Sequence, residues 1–152
     1  MKAFMTTLAV ALVSSAAFAY DAEKWEGSGI AFSSSGAQQK SYSVSVVNRQ
    51  TSTSTSTIES HAMMTSANGT TKSIVQKISI RGSSWTVESN LGTRGGACYG
   101  KDICENYITG ANGIAYATTI IKDGADHERQ ITFVLQDGKA IKIFRQSLVR
   151  IQ

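Results

Sequence analysis

The sequence predicts an all-β fold, an antiparallel up-and-down β-barrel of about eight to ten strands, with a two-sheet β-sandwich as the alternative. Three observations point there. Past Trp25, β-branched and aromatic residues alternate with polar ones at period two, and helical periodicity is nearly absent. Short Asn-Gly and Asp-Gly pairs separate these stretches and close hairpins. The 152 residues contain no proline, which fits long central strands because proline cannot donate to a ladder. An open twisted sheet of that many strands tends to curl, and closing it removes exposed edges.

Residues 1–19 follow another pattern. Lys2 precedes an apolar run from Ala3 to Val13, and small residues lead to Ala17-Phe18-Ala19. A positive start, an apolar centre and an A-x-A site describe a cleaved signal peptide, and the run is shorter than the roughly 20 residues that span a bilayer. The expected location is therefore periplasmic or secreted, with residues 20–152 forming a single β-barrel domain. The brevity of the signal looks bacterial, and a eukaryotic secretory route stays open. The whole chain carries a formal charge of +4, which becomes +3 once Lys2 is removed, with 14 basic against 11 acidic residues. The basic residues are spread without a run or stripe, which argues against a nucleic-acid partner.

The first strand opens at Trp25. In Tyr42-Ser43-Val44-Ser45-Val46 the apolar residues share one face, as in a half-buried antiparallel strand. Thr51 to Thr57 reads as a solvent-facing loop that becomes a strand through Ile58 to Ala62. Asn68-Gly69 is a two-residue turn of the kind that needs positive φ at both positions. Ile74 to Arg81 and Trp85 to Glu88 are joined at Gly82-Ser83. Ile114 to Lys122, Gln130 to Gln136 and Ala140 to Ile151, joined at Asp123-Gly124 and Asp137-Gly138, form an antiparallel meander. An outer-membrane barrel fits poorly: the chain has few aromatics, a Ser/Thr tract, and a terminal Gln152 instead of an aromatic residue.

Cys98 and Cys104 lie in the Gly-rich stretch Gly92 to Gly113. In an oxidising compartment, cysteines this close form a disulfide most simply, and closing the loop contributes roughly 2.4 kcal/mol in the chain-entropy model. The expected result is a stapled loop from Gly92 to Asn112 at a barrel mouth, a natural partner-binding edge. His61 near Glu59, and His127 between Asp126 and Glu128, read as surface histidines beside acids and not as a base with its orienting carboxylate. Gly82-Ser83-Ser84-Trp85 lacks the spacing of a nucleophile elbow. No catalytic, metal-binding or cofactor-binding residue is expected, and the chain reads as a non-enzymatic binding protein.

On the last strand Ile141, Ile143, Arg145, Ser147 and Val149 share a face, so a cation enters an otherwise apolar row. An arginine can lay its planar group over an aromatic ring, and Trp25 is the expected partner if the last strand returns beside the first. Trp25, Arg145, Tyr42 and Tyr116 are therefore the candidates for barrel closure and the lining of a ligand cup.

Trp25-Glu26-Gly27-Ser28-Gly29, the run of hairpins and an Arg near the end together resemble the calycin group of lipocalins, avidins and related small barrels. That resemblance implies a first-strand Trp packed under a last-strand Arg, here Arg145 or Arg150. It also implies a cup for a small hydrophobic molecule or, in some members, a protein partner. The lipocalin G-x-W start has Glu23 where Gly is expected. The same W-x-G-x-G start is similar to haem-binding nitrobindin-like barrels, whose axial His has no counterpart here. The expected ligand is small and apolar or amphipathic, held in the interior; the alternative is a protein-binding or inhibitor module acting through the stapled 92–112 loop.

Overall fold

The structure, a computed structural model, describes residues 22–52 and 56–152. The expected signal peptide lies outside them. Ten strands follow in chain order: β1 (Glu23–Ser33), β2 (Gln38–Ser52), β3 (Thr57–Ser66), β4 (Thr71–Arg81), β5 (Ser84–Ser89), β6 (Gly92–Tyr99), β7 (Ile103–Thr109), β8 (Ile114–Lys122), β9 (His127–Gln136) and β10 (Lys139–Arg150). Each pairs with its sequence neighbour, and β1 pairs antiparallel with β10 from Trp25↔Arg150 to Ser33↔Lys142. That last ladder closes the barrel and excludes the sandwich.

Turn chemistry sets the register. Asp137 and Gly138 both take positive φ, 50° and 78°, as a two-residue hairpin turn requires. At Asn68-Gly69 only Gly69 does, at 79°, and Gly69 N donates to Ser66 O. That turn is a three-residue loop ending in a left-handed glycine, not the two-residue form expected.

Along most of the strands side chains alternate inward and outward, and the inward rows fill the centre. Phe144, Ile74, Ile78, Ile108, Ile120 and Leu148 are fully buried there, together with Gln76, Gln130 and Glu128. One device recurs. Gly29 on β1 lies between Tyr42 on β2 and Gln146 on β10, and a Cβ on Gly29 would strike the Tyr42 ring. The ring therefore crosses β1, and its hydroxyl donates to Gln146 Oε1 at 3.3 Å. Likewise Gly96 on β6 leaves room for Trp85 of β5, whose Nε1 donates over it to Asn106 Oδ1 on β7 at 3.2 Å. A glycine within a strand here marks the close approach of a ring.

Two further sequence expectations need correction. The stretch 92–112 is no long loop: β6 and β7 pair from Thr93↔Thr109 to Tyr99↔Ile103, and Cys98 and Cys104, direct cross-strand partners, form the disulfide. Its glycines serve close packing, as at Gly96, where composition alone suggested flexibility. The second concerns Arg145. The inward row of β10 is Phe144, Gln146 and Leu148, so the face shared by Ile141, Ile143 and Arg145 is the outer one. Arg145 does stack on a ring, but on Phe32 of β1, 5.4 Å from its centroid. The arginine opposite Trp25 is Arg150.

The interior is more polar than an apolar cup. Gln146 Nε2 donates to Gln130 Oε1 and Gln130 Nε2 to Glu128 Oε1, both at 2.6 Å, and the Thr118 and Thr132 hydroxyls bond at 2.9 Å. A separate row, Asn48, Ser60 and Gln76, crosses β2, β3 and β4 in direct register. The side-chain polar atoms of these three are buried with no hydrogen-bond partner among the described residues. An unpaired buried polar group costs about 1–3 kcal/mol. Gln76→Met, which keeps the volume, is expected to raise stability by about that amount. A lower melting temperature for the variant would show instead that the Gln76 amide is satisfied in solution.

Candidate functional site

The barrel end that carries the turns 34–37, 67–70 and 137–138 holds a pocket of about 110 Å³. Its floor and walls are Ala31, Tyr42, Met64 and Phe144, and its rim includes Lys40, Lys72, Ser66 and Asn68. The strand period explains the arrangement. Lys40, Lys72 and Lys142 each precede by two residues an inward side chain, respectively Tyr42, Ile74 and Phe144, so each extends an inward row to the mouth. Register places the apolar wall beneath them, with Ala31 opposite both Lys40 and Phe144, and Met64 opposite Lys72. Phe144 packs edge-on against Tyr42, with centroids 6.1 Å apart, and Lys142 Nζ lies 5.9 Å from the Phe144 centroid.

The electrostatics of this mouth are one-sided. The ion pairs seen among the described residues, Arg150 with Glu23 at 3.1 Å and with Asp126 at 3.4 Å, lie at the opposite end and leave the three lysines out. Burial holds the Lys72 amine below the ordinary lysine range, and Lys40 adds to the effect. Burial, then Lys72 and Lys40, do the same to Lys142. Burial pushes the Tyr42 hydroxyl up, so the pocket floor stays a neutral phenol. At the far end burial raises the Glu23 carboxyl, while Arg150 beside it opposes the shift. Like charges held together without counter-charges favour an anion.

The structure separates the residues singled out from the sequence. Tyr42 forms the pocket floor. Tyr116 and Trp25 face inward but belong to the packed core, and Arg145 is outside the barrel. His61 and His127 are both exposed, on β3 and β9, and no acid and histidine converge inside. No group of three or more His, Cys, Asp or Glu among the described residues could hold a metal ion, and no helix there is long and apolar enough to cross a membrane. Sequence reasoning missed Lys40, Lys72, Lys142, Met64 and Phe144. For Lys40 and Lys72 a signal existed: a lysine two residues before an inward row, near the start of β2 and of β4, which run in the same direction because both are antiparallel to β3.

Fold and pocket together define a closed ten-stranded antiparallel barrel with a cationic mouth. No protein-family profile matches the chain, and no curated protein matches it. Among solved structures it is similar to an S-type phycobiliprotein lyase from Guillardia theta, with a TM-score of 0.62 over 85% of this chain and 87% of that one, at 8% sequence identity. At that identity the likeness concerns the fold. It also corrects one expectation: the similar barrel is a lyase, so the fold gives no ground for a non-enzymatic reading of the chain, and that reading is withdrawn.

Proposed function

We propose that this chain is a ligand-binding barrel that takes a small anionic amphipathic molecule at the lysine-rimmed mouth, the anionic group among Lys40, Lys72 and Lys142 and the apolar part against Met64, Phe144 and Tyr42. The observation that carries this reading is three lysines, without a paired carboxylate among the described residues, over an apolar pocket. The volume limits the ligand. About 110 Å³ is below the roughly 150 Å³ of a cavity that accepts benzene, and well below pockets for drug-sized ligands. The apolar part is therefore a short chain, or a single ring that enters by its edge and stays partly outside the mouth, not a molecule that fills the barrel. The leader-like segment at residues 1–19 and the Cys98–Cys104 disulfide support export to the periplasm or medium.

Calorimetric titration with benzoate and with benzyl alcohol tests the proposal. The two share a ring and differ in charge, and a charge-assisted hydrogen bond contributes about 1.5–3 kcal/mol, so benzoate is expected to bind at least about tenfold more tightly. Equal affinity, or no binding of either, overturns the proposal. A protein partner is the second reading, favoured by one observation. Tyr99 and Ile103, opposite each other beside the disulfide, are 63% and 48% exposed. Tyr99→Ser/Ile103→Ser would weaken such a complex and leave benzoate binding alone.

A further inference from the structure

Lys72 differs from the other mouth lysines in being both half-buried and part of the pocket lining. It stands opposite Met64 in register, and Lys40, Ser66, Asn68 and Thr70 share the pocket with it. None of these is a carboxylate that would hold its proton. Burial and the Lys40 charge both disfavour the ammonium form. A lysine desolvated beside another cation is an activated amine nucleophile. Around it stand the other requirements of a condensation: an apolar wall that limits water, a second ammonium at Lys40 to give and take protons, and cationic charge to hold an anionic substituent in place.

We infer that Lys72 forms an imine with small anionic aldehydes or keto acids bound in this pocket. The inference rests on the pocket being an anion site. The neutral Lys72 nitrogen attacks the carbonyl carbon, and a C–N bond forms as the carbonyl π pair moves to oxygen. The nitrogen loses its proton, the oxygen gains one, and the Lys40 ammonium protonates the hydroxyl as it leaves. One amine and one carbonyl give one imine and one water, with no change of oxidation state. Lys40 recovers a proton from the nitrogen, so the cluster is unchanged except for the adduct.

The experiment treats the protein with 4-carboxybenzaldehyde, reduces the imine with cyanoborohydride and maps the modified lysine by peptide mass spectrometry. Labelling is expected to concentrate on Lys72, at least about tenfold above Lys24, Lys77 or Lys139, because binding raises the local concentration of the aldehyde. Benzoate should compete with it, and benzaldehyde, which lacks the carboxylate, should label Lys72 less. Lys72→Arg should remove the adduct, whereas Lys139→Arg should keep it. Even labelling of all lysines, or an adduct on Lys40 or Lys142 with Lys72 unmodified, overturns the inference. If benzoate binds calorimetrically and Lys72 stays unlabelled, the imine falls and the anion site stands. If benzoate does not bind, the anion site falls and takes the imine with it.

Discussion

Reversing two of the three mouth charges, in a Lys40→Glu/Lys72→Glu protein, is expected to weaken benzoate binding by at least about 100-fold, measured by calorimetry at low salt. Two charge-assisted contacts of about 1.5–3 kcal/mol each are lost, and carboxylates now face the anion, so a 100-fold loss is the lower bound. The fold should tolerate the change to within about 1 kcal/mol, because these lysines have no ion-pair partners among the described residues and the new acids can pair with Lys142 at a partly exposed site. If affinity is unchanged, the lysines are a solvated rim and the ligand site lies elsewhere. The pH dependence gives a second check. Lys72 and Lys142 are held below the ordinary value of 10.5, so anion affinity should fall as pH rises, and the fall should begin before the ordinary lysine range. Stability of the free protein should move the other way. Between the lowered folded value and 10.5 the unfolded chain binds more protons, so stability rises with pH in that window. A melting temperature that fell together with affinity there would contradict the assignment.

The barrel was legible because it rests on patterns that survive in a single sequence: period-two alternation and hairpin turns set neighbour pairing, and strand number makes closure favourable. The interior was legible only where its chemistry was apolar. On β10 the outward row holds Ile141, Ile143 and Val149, whereas the inward row holds only Phe144 and Leu148 around Gln146. Counting apolar residues therefore selects the wrong face. Gln146 tolerates burial because Gln130 and Tyr42 bond to it, and those partners come from strands 16 and 104 residues away in sequence. No local pattern shows that pairing. The same inversion moved Arg145 from an expected place over Trp25 to the outer surface, and it hid Lys142 at the mouth. Tyr42 was found because its strand is unambiguous, with serines on the outer face. Gly92 to Asn112 was misread for a different reason: glycine content reports freedom of the chain when nothing packs on it, and here Trp85 packs on Gly96.

Phe144→Ala is expected to cost about 3–5 kcal/mol, read by denaturant or thermal unfolding. Phe144 is 1% exposed, is opposite Ala31 in register, and packs its ring edge against Tyr42, so its removal leaves a void that neither neighbour can fill. Ala31 is too small to reach the void, and Tyr42 is tied across Gly29 to Gln146. For a domain of this size such a loss should lower the melting temperature by roughly 10 °C or more. Phe144 is also a pocket wall, so the variant should gain volume beneath the lysines. Ligand preference should then shift: naphthoate, too large for the native pocket, should gain affinity relative to benzoate while still requiring Lys40 and Lys72. Adding benzoate or naphthoate should recover part of the lost stability in proportion to binding. A void that merely collapsed would show the same destabilisation with no change in size preference. A cost below about 1 kcal/mol would mean that the mouth of the barrel is not packed as the Tyr42–Phe144 contact requires.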